Sequence, residues 1–195
     1  MLGKSELLEA IAGKNRGILA SPEDKSAILA AIAQLEGRNP TPRPVEAPKL
    51  LEGDWRLLYT DSKGLLGFER IPLFQLGEIY QCIRADEGKV YNLAEITGIP
   101  YLEGLISVEA RFEALTEQRV NVFFETTLIG LQRLMRYRQP QVWVEHIKAG
   151  KQPPAAKINI NPERPPGWLD ITYLDEDMRI GRGNRGSVFV LTKHG

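Results

Sequence analysis

The side chains that most often do chemistry are few in this chain, and their spacing does not bring them together. Two histidines, His146 and His194, and one cysteine, Cys82, are scattered through 195 residues. A Ser/His/acid or Cys/His nucleophile would have to be built on His146, which lies in the least regularly patterned stretch. His194 is the penultimate residue and is expected to be disordered. Cys82 has no histidine near it in sequence to activate the thiol, so it reads as a core filler. Metal chemistry has no better basis, because Asp175-Glu176-Asp177 lacks the alternate spacing of a calcium loop. Neither a catalytic residue, nor a metal, nor a cofactor is expected.

One motif invites a nucleotide. Gly181-Arg182-Gly183-Asn184-Arg185-Gly186 has the G-x-G-x-x-G spacing, and Val188 extends it to the kinase form. A dinucleotide fingerprint requires a helix after the third glycine and an acidic residue about 20 positions on. Here Ser187 to Leu191 is a β-branched and aromatic strand instead, and nine residues follow Gly186. A kinase loop needs a lysine strand and a catalytic loop downstream. The expectation is therefore a tight β-turn, with glycines relieving crowding in a twisted sheet.

Bulk composition narrows the classes further. Lys+Arg and Asp+Glu are both 25, so net charge gives no reason to expect a nucleic-acid partner. A lone cysteine excludes an internal disulfide and fits a reducing compartment. No run of about 18 apolar residues is present to span a membrane as a helix. Glu6 and Glu9, with no apolar segment beside them, argue against a secretory signal and against a plastid transit peptide.

The elements that would have to position any site are mostly strands. Two helices come first, over residues 5–13 and from Ser21 to Gly37. The second has Ser21 as N-cap, Pro22 at the first position and Asp24 three residues after the cap. Ala27, Ile28, Ala31, Ile32 and Leu35 draw one apolar stripe along it. Pro40, Pro42, Pro44 and Pro48 then predict an extended linker without helix. Strands follow at 53–60, 76–83, 89–96, 105–114 and 119–128. Ile106, Val108, Ala110, Phe112 and Ala114 alternate with polar neighbours and face inwards. Beyond 128 the pattern loosens, and 129–148 reads as an edge strand with an irregular loop. A short strand at 157–160 and three closing strands within 168–191 complete the chain. Many short antiparallel strands separated by turns give a mainly β fold, a sandwich or a barrel.

The run GWLDITYLDEDMRIGRGNRGSVFVL at 167–191, with LLEGDWRLLYT at 50–60, resembles the plastid lipid-associated protein (PAP)/fibrillin family of plastids and cyanobacteria. The resemblance covers roughly residues 50–191. It implies a lipocalin-like antiparallel β-barrel over 50–195, two N-terminal helices packed on it from 1–37, and a Pro-rich linker at 38–49. In lipocalin-like folds the Trp of an opening G-x-W, here Gly53-Asp54-Trp55, packs beneath an Arg from a late strand, here Arg179 or Arg182. Guanidinium on indole is worth ~0.5–2 kcal/mol. Asp175 and Asp177 match acidic positions before the family's R-I-G-R-G run, where pairing with Arg179, Arg182 or Arg185 would stiffen the closing motif.

Inward apolar residues Trp55, Leu57, Tyr59, Val108, Phe112, Val122, Phe124 and Tyr173 could line a ligand cavity or pack together as a filled core; the residues alone leave both open. The resemblance implies a cavity, and family members are thought to bind apolar molecules such as carotenoids, quinones and other prenyl lipids. The function it implies is non-catalytic binding of a lipophilic small molecule at thylakoid or lipid-globule surfaces. That would be on the cytoplasmic side in a cyanobacterium, or in a plastid if the chain is a processed plant protein. Arginines interleaved with Leu, Met and Trp over 129–148 offer a second contact, with an anionic lipid surface. Two alternatives remain. One is a bilin chromophore lyase on the same barrel, with Arg179, Arg182 and an acid such as Glu78 handling the tetrapyrrole. The other is a ligand-free scaffold.

Overall fold

The computed structural model describes residues 3–62, 75–184 and 186–195. Arg185, one of the three arginines considered for the acidic turn, lies outside them. Helix α1 (Lys4–Ile11) and helix α2 (Pro22–Glu36) come first. In α2 the Ser21 hydroxyl accepts from the Asp24 N–H, and the Asp24 carboxylate accepts from the Ser21 N–H. This closes the capping box read from the sequence.

The proline segment differs from expectation. It contains a 3-10 turn at Pro44–Glu46 and a short helix α3 (Pro48–Leu51), each with a proline in its first turn. A proline there costs no hydrogen bond, because the first helical N–H groups have no partner anyway.

Among the described residues nine strands form one antiparallel sheet. They are β1 (Gly53–Thr60), β2 (Gln75–Arg84), β3 (Lys89–Thr97), β4 (Gly104–Ala114), β5 (Arg119–Leu131), β6 (Ala156–Asn159), β7 (Gly167–Leu174), β8 (Met178–Gly183) and β9 (Val188–His194). Their order is β4-β3-β2-β1-β9-β8-β7-β5-β6, with β4 also paired to β5. That last pairing closes eight strands into a barrel and leaves β6 as a flap on the far half of β5. Closure removes the sheet edges that would otherwise offer unpaired backbone groups. His194, expected to be disordered, is the last residue of β9, with its ring 5.2 Å from that of Tyr80.

Three apolar clusters organise the molecule. The first lies outside the barrel, where Leu7, Ile11, Ile28, Ile32 and Leu35 of the two helices cover Tyr59, Tyr173, Met178, Ile180, Val188 and Val190. The second is the barrel interior. The third lies on another outer face and corrects the reading of 129–148. There the chain forms a one-turn helix α4 (Gln132–Met135) and an amphipathic helix α5 (Pro140–Lys148). Met135, Tyr137, Trp143 and Val144 bury against Tyr80, Cys82, Tyr91, Leu93 and Leu105. The Trp143 indole N–H donates to the Ser107 hydroxyl (2.9 Å), and the Tyr137 hydroxyl donates to Glu95 (2.8 Å). Signals for α5 stood in the sequence: proline at its first position, then Trp143, Val144 and Ile147 at helical spacing.

Candidate ligand-binding site

The barrel encloses a cavity of about 230 Å³. Its walls follow from the two-residue period of the strands. Ile83 of β2, Val90 of β3, Phe112 of β4, Val122 of β5, Ile171 of β7 and Phe189 of β9 all point inward. Gly183 lines the cavity, and Gly181 holds the preceding inward position of β8, opposite Phe189. A Cβ on Gly181 would come within 3.2 Å of Leu169, and one on Gly183 within 3.4 Å of Phe189. This is the local use of the glycine motif, and it is steric, as read from the sequence. Gly186, at φ +73°, lies in the β8–β9 connection that follows.

One end of the barrel is plugged. Val45, Ala47, Leu50 and Leu51 from the proline segment pack into the interior cluster beneath Trp55, whose indole N–H donates to the Leu51 carbonyl (2.9 Å). Gly53 enters β1 at φ +123°, a left-handed conformation, and a Cβ there would meet the Lys193 side chain at 2.9 Å. Among the described residues, the opposite side of the cavity is less covered. Phe124 is 40 % exposed, and Gly167, Asn184 and Ser187 complete that rim.

The floor is polar. The Arg179 guanidinium stands 5.2 Å from the Trp55 ring centroid, and the Lys193 ammonium 5.1 Å from it. Arg179 is 3 % exposed and donates a hydrogen bond to the Gln81 side-chain oxygen. The Gln81 amide nitrogen donates onward to the Asn92 side-chain oxygen at 2.9 Å. Burial pulls the Arg179 guanidinium down to about 9, so it keeps its proton at neutral pH.

The expected site residues separate under this geometry. Phe112, Val122 and Phe124 line the cavity. Trp55 and Leu57 point inward but are packed over at the plugged end. Val108 pairs with Asn92 on the inward face of β4, outside the cavity wall. Tyr59 and Tyr173, expected inside, face outward beneath the helices. The physical reason is a register shift in each strand, between Leu57 and Tyr59 and between Ile171 and Tyr173, which turns the following side chain to the other face.

The closure residues separate as well. Arg179 takes the place over Trp55. Arg182 points outward and clamps α2 through both Glu36 carboxylate oxygens (2.7 and 2.8 Å). Among the described residues Asp175 and Asp177 pair with neither Arg179 nor Arg182; both pair with Lys4 of α1 instead. Asp175 also accepts from the Tyr173 hydroxyl (2.6 Å) and from the N–H groups of Asp177 and Met178. Burial opposes its charge, but the hydrogen bonds from Lys4, Tyr173 and Asp177 prevail and hold its carboxyl at about 2.

Gln81 and Asn92 escaped the sequence reading. The available signal was an amide at an inward position in each of two neighbouring strands. No group of three or more His, Cys, Asp or Glu able to hold a metal is present among the described residues. Cys82 is buried and its thiol is pushed up by desolvation and by Asp54, which leaves it unreactive. Glu78 lies on the outer side of the barrel, 3.5 Å from both Arg16 and Arg56.

Comparison with known proteins agrees with this architecture. The PAP_fibrillin family description matches residues 1–192. "Light-induced protein, chloroplastic" of Solanum demissum is 35% identical, over 98% of this chain and 67% of its own length. "Probable plastid-lipid-associated protein 2, chloroplastic" of Arabidopsis thaliana is also 35% identical, over 98% of this chain and 70% of its own length. "Chromoplast-specific carotenoid-associated protein, chromoplastic" of Cucumis sativus is 34% identical, over 98% of this chain and 67% of its own length. No solved structure matches the chain. A barrel with its first-strand tryptophan beneath a late-strand arginine, matched end to end by these relatives, makes this chain a member of the PAP/fibrillin family.

Proposed function

We propose that this protein binds one lipophilic small molecule in its barrel, without catalysis, and works at a lipid surface. The observation that carries the reading is the cavity itself: an apolar chamber inside a closed barrel, with one end plugged and the other side rimmed by half-covered aromatic rings. At about 230 Å³ it lies just under the ~300–1,000 Å³ of typical small-molecule sites. It therefore suits one end of a prenyl-type lipid such as a carotenoid or quinone, with the remainder of the chain passing out along Phe124. Relatives named for plastid lipid and for carotenoid support this class of ligand. Burial of apolar surface at ~25 cal/mol per Å² supplies the affinity.

Contact with a lipid surface has its own observation. Tyr101 (78 % exposed), Leu102 and Leu134 are uncovered apolar side chains on two adjoining segments, tied together where the Gln132 N–H donates to the Glu103 carbonyl (2.8 Å). Exposed Arg133 and Arg136 flank them. Apolar side chains among arginines suit an anionic lipid interface. Thylakoid or lipid-globule surfaces are the corresponding location.

The lyase alternative has less support. It needs arginines and an acid turned to the ligand, yet Arg182 is engaged by Glu36 and Glu78 by Arg16 and Arg56, all outside the barrel. The test is organic extraction of the protein purified from its native source, with mass spectrometry of what is released. A stoichiometric prenyl lipid, lost in a correctly folded Val122→Trp variant whose indole fills the chamber, is the expected result. A protein that carries no lipid and takes up none on titration would overturn the proposal and leave a scaffold.

A further inference from the structure

Arg179 is a cation held where its surroundings compensate it poorly. It is almost fully buried, and among the described residues no carboxylate lies within ion-pairing distance. Lys193, on the same indole, donates to the Leu50 carbonyl (3.2 Å) and likewise pairs with no described carboxylate. Two positive charges thus meet at the closed end of an apolar chamber, each about 5 Å from the Trp55 ring centroid. A buried charge without a counter-ion lowers stability, and cation–π contact offsets only part of the loss. Elsewhere the chain pairs its part-buried cations: Lys4 with Asp175, Arg84 with Asp54, Arg119 with Asp170, Arg182 with Glu36.

The neighbouring amides sharpen the chemistry. Gln81 uses its oxygen to accept from Arg179, so its nitrogen is the donor to the Asn92 oxygen. The remaining N–H groups of Arg179 and the amide N–H of Asn92 are donors left at this floor, beside the second lone pairs of the two amide oxygens. Among the described residues lining the chamber there is no Asp or Glu. A floor of donors around a guanidinium, beneath apolar walls, is complementary to a compact anion carried on an apolar chain.

We propose that the chamber takes an amphiphile with a carboxylate head, its oxygens on Arg179 and Asn92, and its tail leading out past Phe112 and Phe124. This rests on the lipid-binding reading above and narrows it, because the head would supply a counter-charge that none of the described residues supplies.

The test is equilibrium binding of radiolabelled dodecanoate to the full chain, with unlabelled dodecanoate or methyl dodecanoate as competitor. Acid and ester share the tail and differ in the charge. A charge-assisted hydrogen bond predicts that the acid competes about ten- to a hundredfold better than the ester. The preference should fade as pH drops through the carboxyl range of about 4–5. Arg179→Met should abolish the preference, the acid losing far more affinity than the ester, and Arg179→Lys should retain part of it. Without ligand, the Arg179→Met protein should melt no lower than wild type, since an uncompensated charge has been replaced by an apolar chain. Equal competition by acid and ester in the wild-type protein, or a preference that survives in Arg179→Met, would overturn the head-group assignment and leave a site for neutral lipids. Failure of both to bind would overturn the lipid-binding reading along with it.

Discussion

At the plugged end of the barrel Trp55, Leu57, Leu174 and Leu191 are enclosed above the 44–51 segment, while Phe112, Phe124 and Phe189, equally apolar, keep part of their surface uncovered in and around the cavity. Residue type does not separate the two regions; the supply of partners does. Leu51, Leu50, Ala47 and Val45 come up from the proline segment to fill the first. Among the described residues, Gly167 and Gly183 contribute no side chain to the other wall. Close packing in one region and unfilled space in the other is how a single interior serves both stability and binding.

The difference can be broken most severely from below. Trp55→Ala removes a fully buried indole together with its bond to Leu51 and the surface beneath Arg179. It should cost ~3–5 kcal/mol in urea unfolding. A loss near that found for a surface residue would mean that the plugged end is not the stabilising half.

Acid provides the next largest perturbation, acting on the α1 anchor at the β7–β8 turn. The Asp175 carboxyl titrates at about 2 in the folded chain, below its unfolded value of about 3.9. Its contribution is therefore complete above about pH 4–5 and is lost as pH falls towards 2. Solvent access to the Lys4 partner limits that contribution to about 1–2 kcal/mol. Asp175→Asn should lower stability at pH 7 by this amount and flatten the acid limb of the stability profile. An unchanged acid limb would dismiss the anchor.

Arg182→Ala comes third. Loss of its two bonds to a partly exposed Glu36 should cost about 0.5–1 kcal/mol in thermal unfolding, with ligand uptake unaffected. This arginine, three residues from Arg179 and on the opposite face, separates a surface clamp from a luminal charge. Phe124→Ala should give the smallest change in stability, within about 0.5 kcal/mol, because much of the ring is already in solvent. Yet it should measurably weaken lipid binding. A large destabilisation there would show that the rim is packed core after all.

Much of the fold was legible in the residues. Alternation of Val108, Ala110 and Phe112, the capping box at Ser21, and turn chemistry between the strands each act over a few residues, where sequence dictates conformation directly. The strand that follows the glycine motif, where a dinucleotide fingerprint needs a helix, was legible in Val188, Phe189 and Val190. The inward placement of Tyr59 and Tyr173 failed because a bulge is a two-strand property. Nothing local in Leu57-Leu58-Tyr59 announces that β9 meets it one residue out of step. The helix at 140–148 went unread because its arginine-rich approach obscured a short apolar pattern.

Sequence alone, then, determined the strands, the two leading helices and the family resemblance. Tertiary structure decided which face each side chain serves. It sent Arg182 to Glu36 and Arg179 to Trp55, and turned two tyrosines outward. It also joined Gln81, Asn92 and Arg179 into one floor. Those outcomes depend on barrel closure and strand register, which are set by pairings between segments far apart in the chain, Arg182 and Glu36 being 146 residues apart and Gln81 and Arg179 being 98 apart.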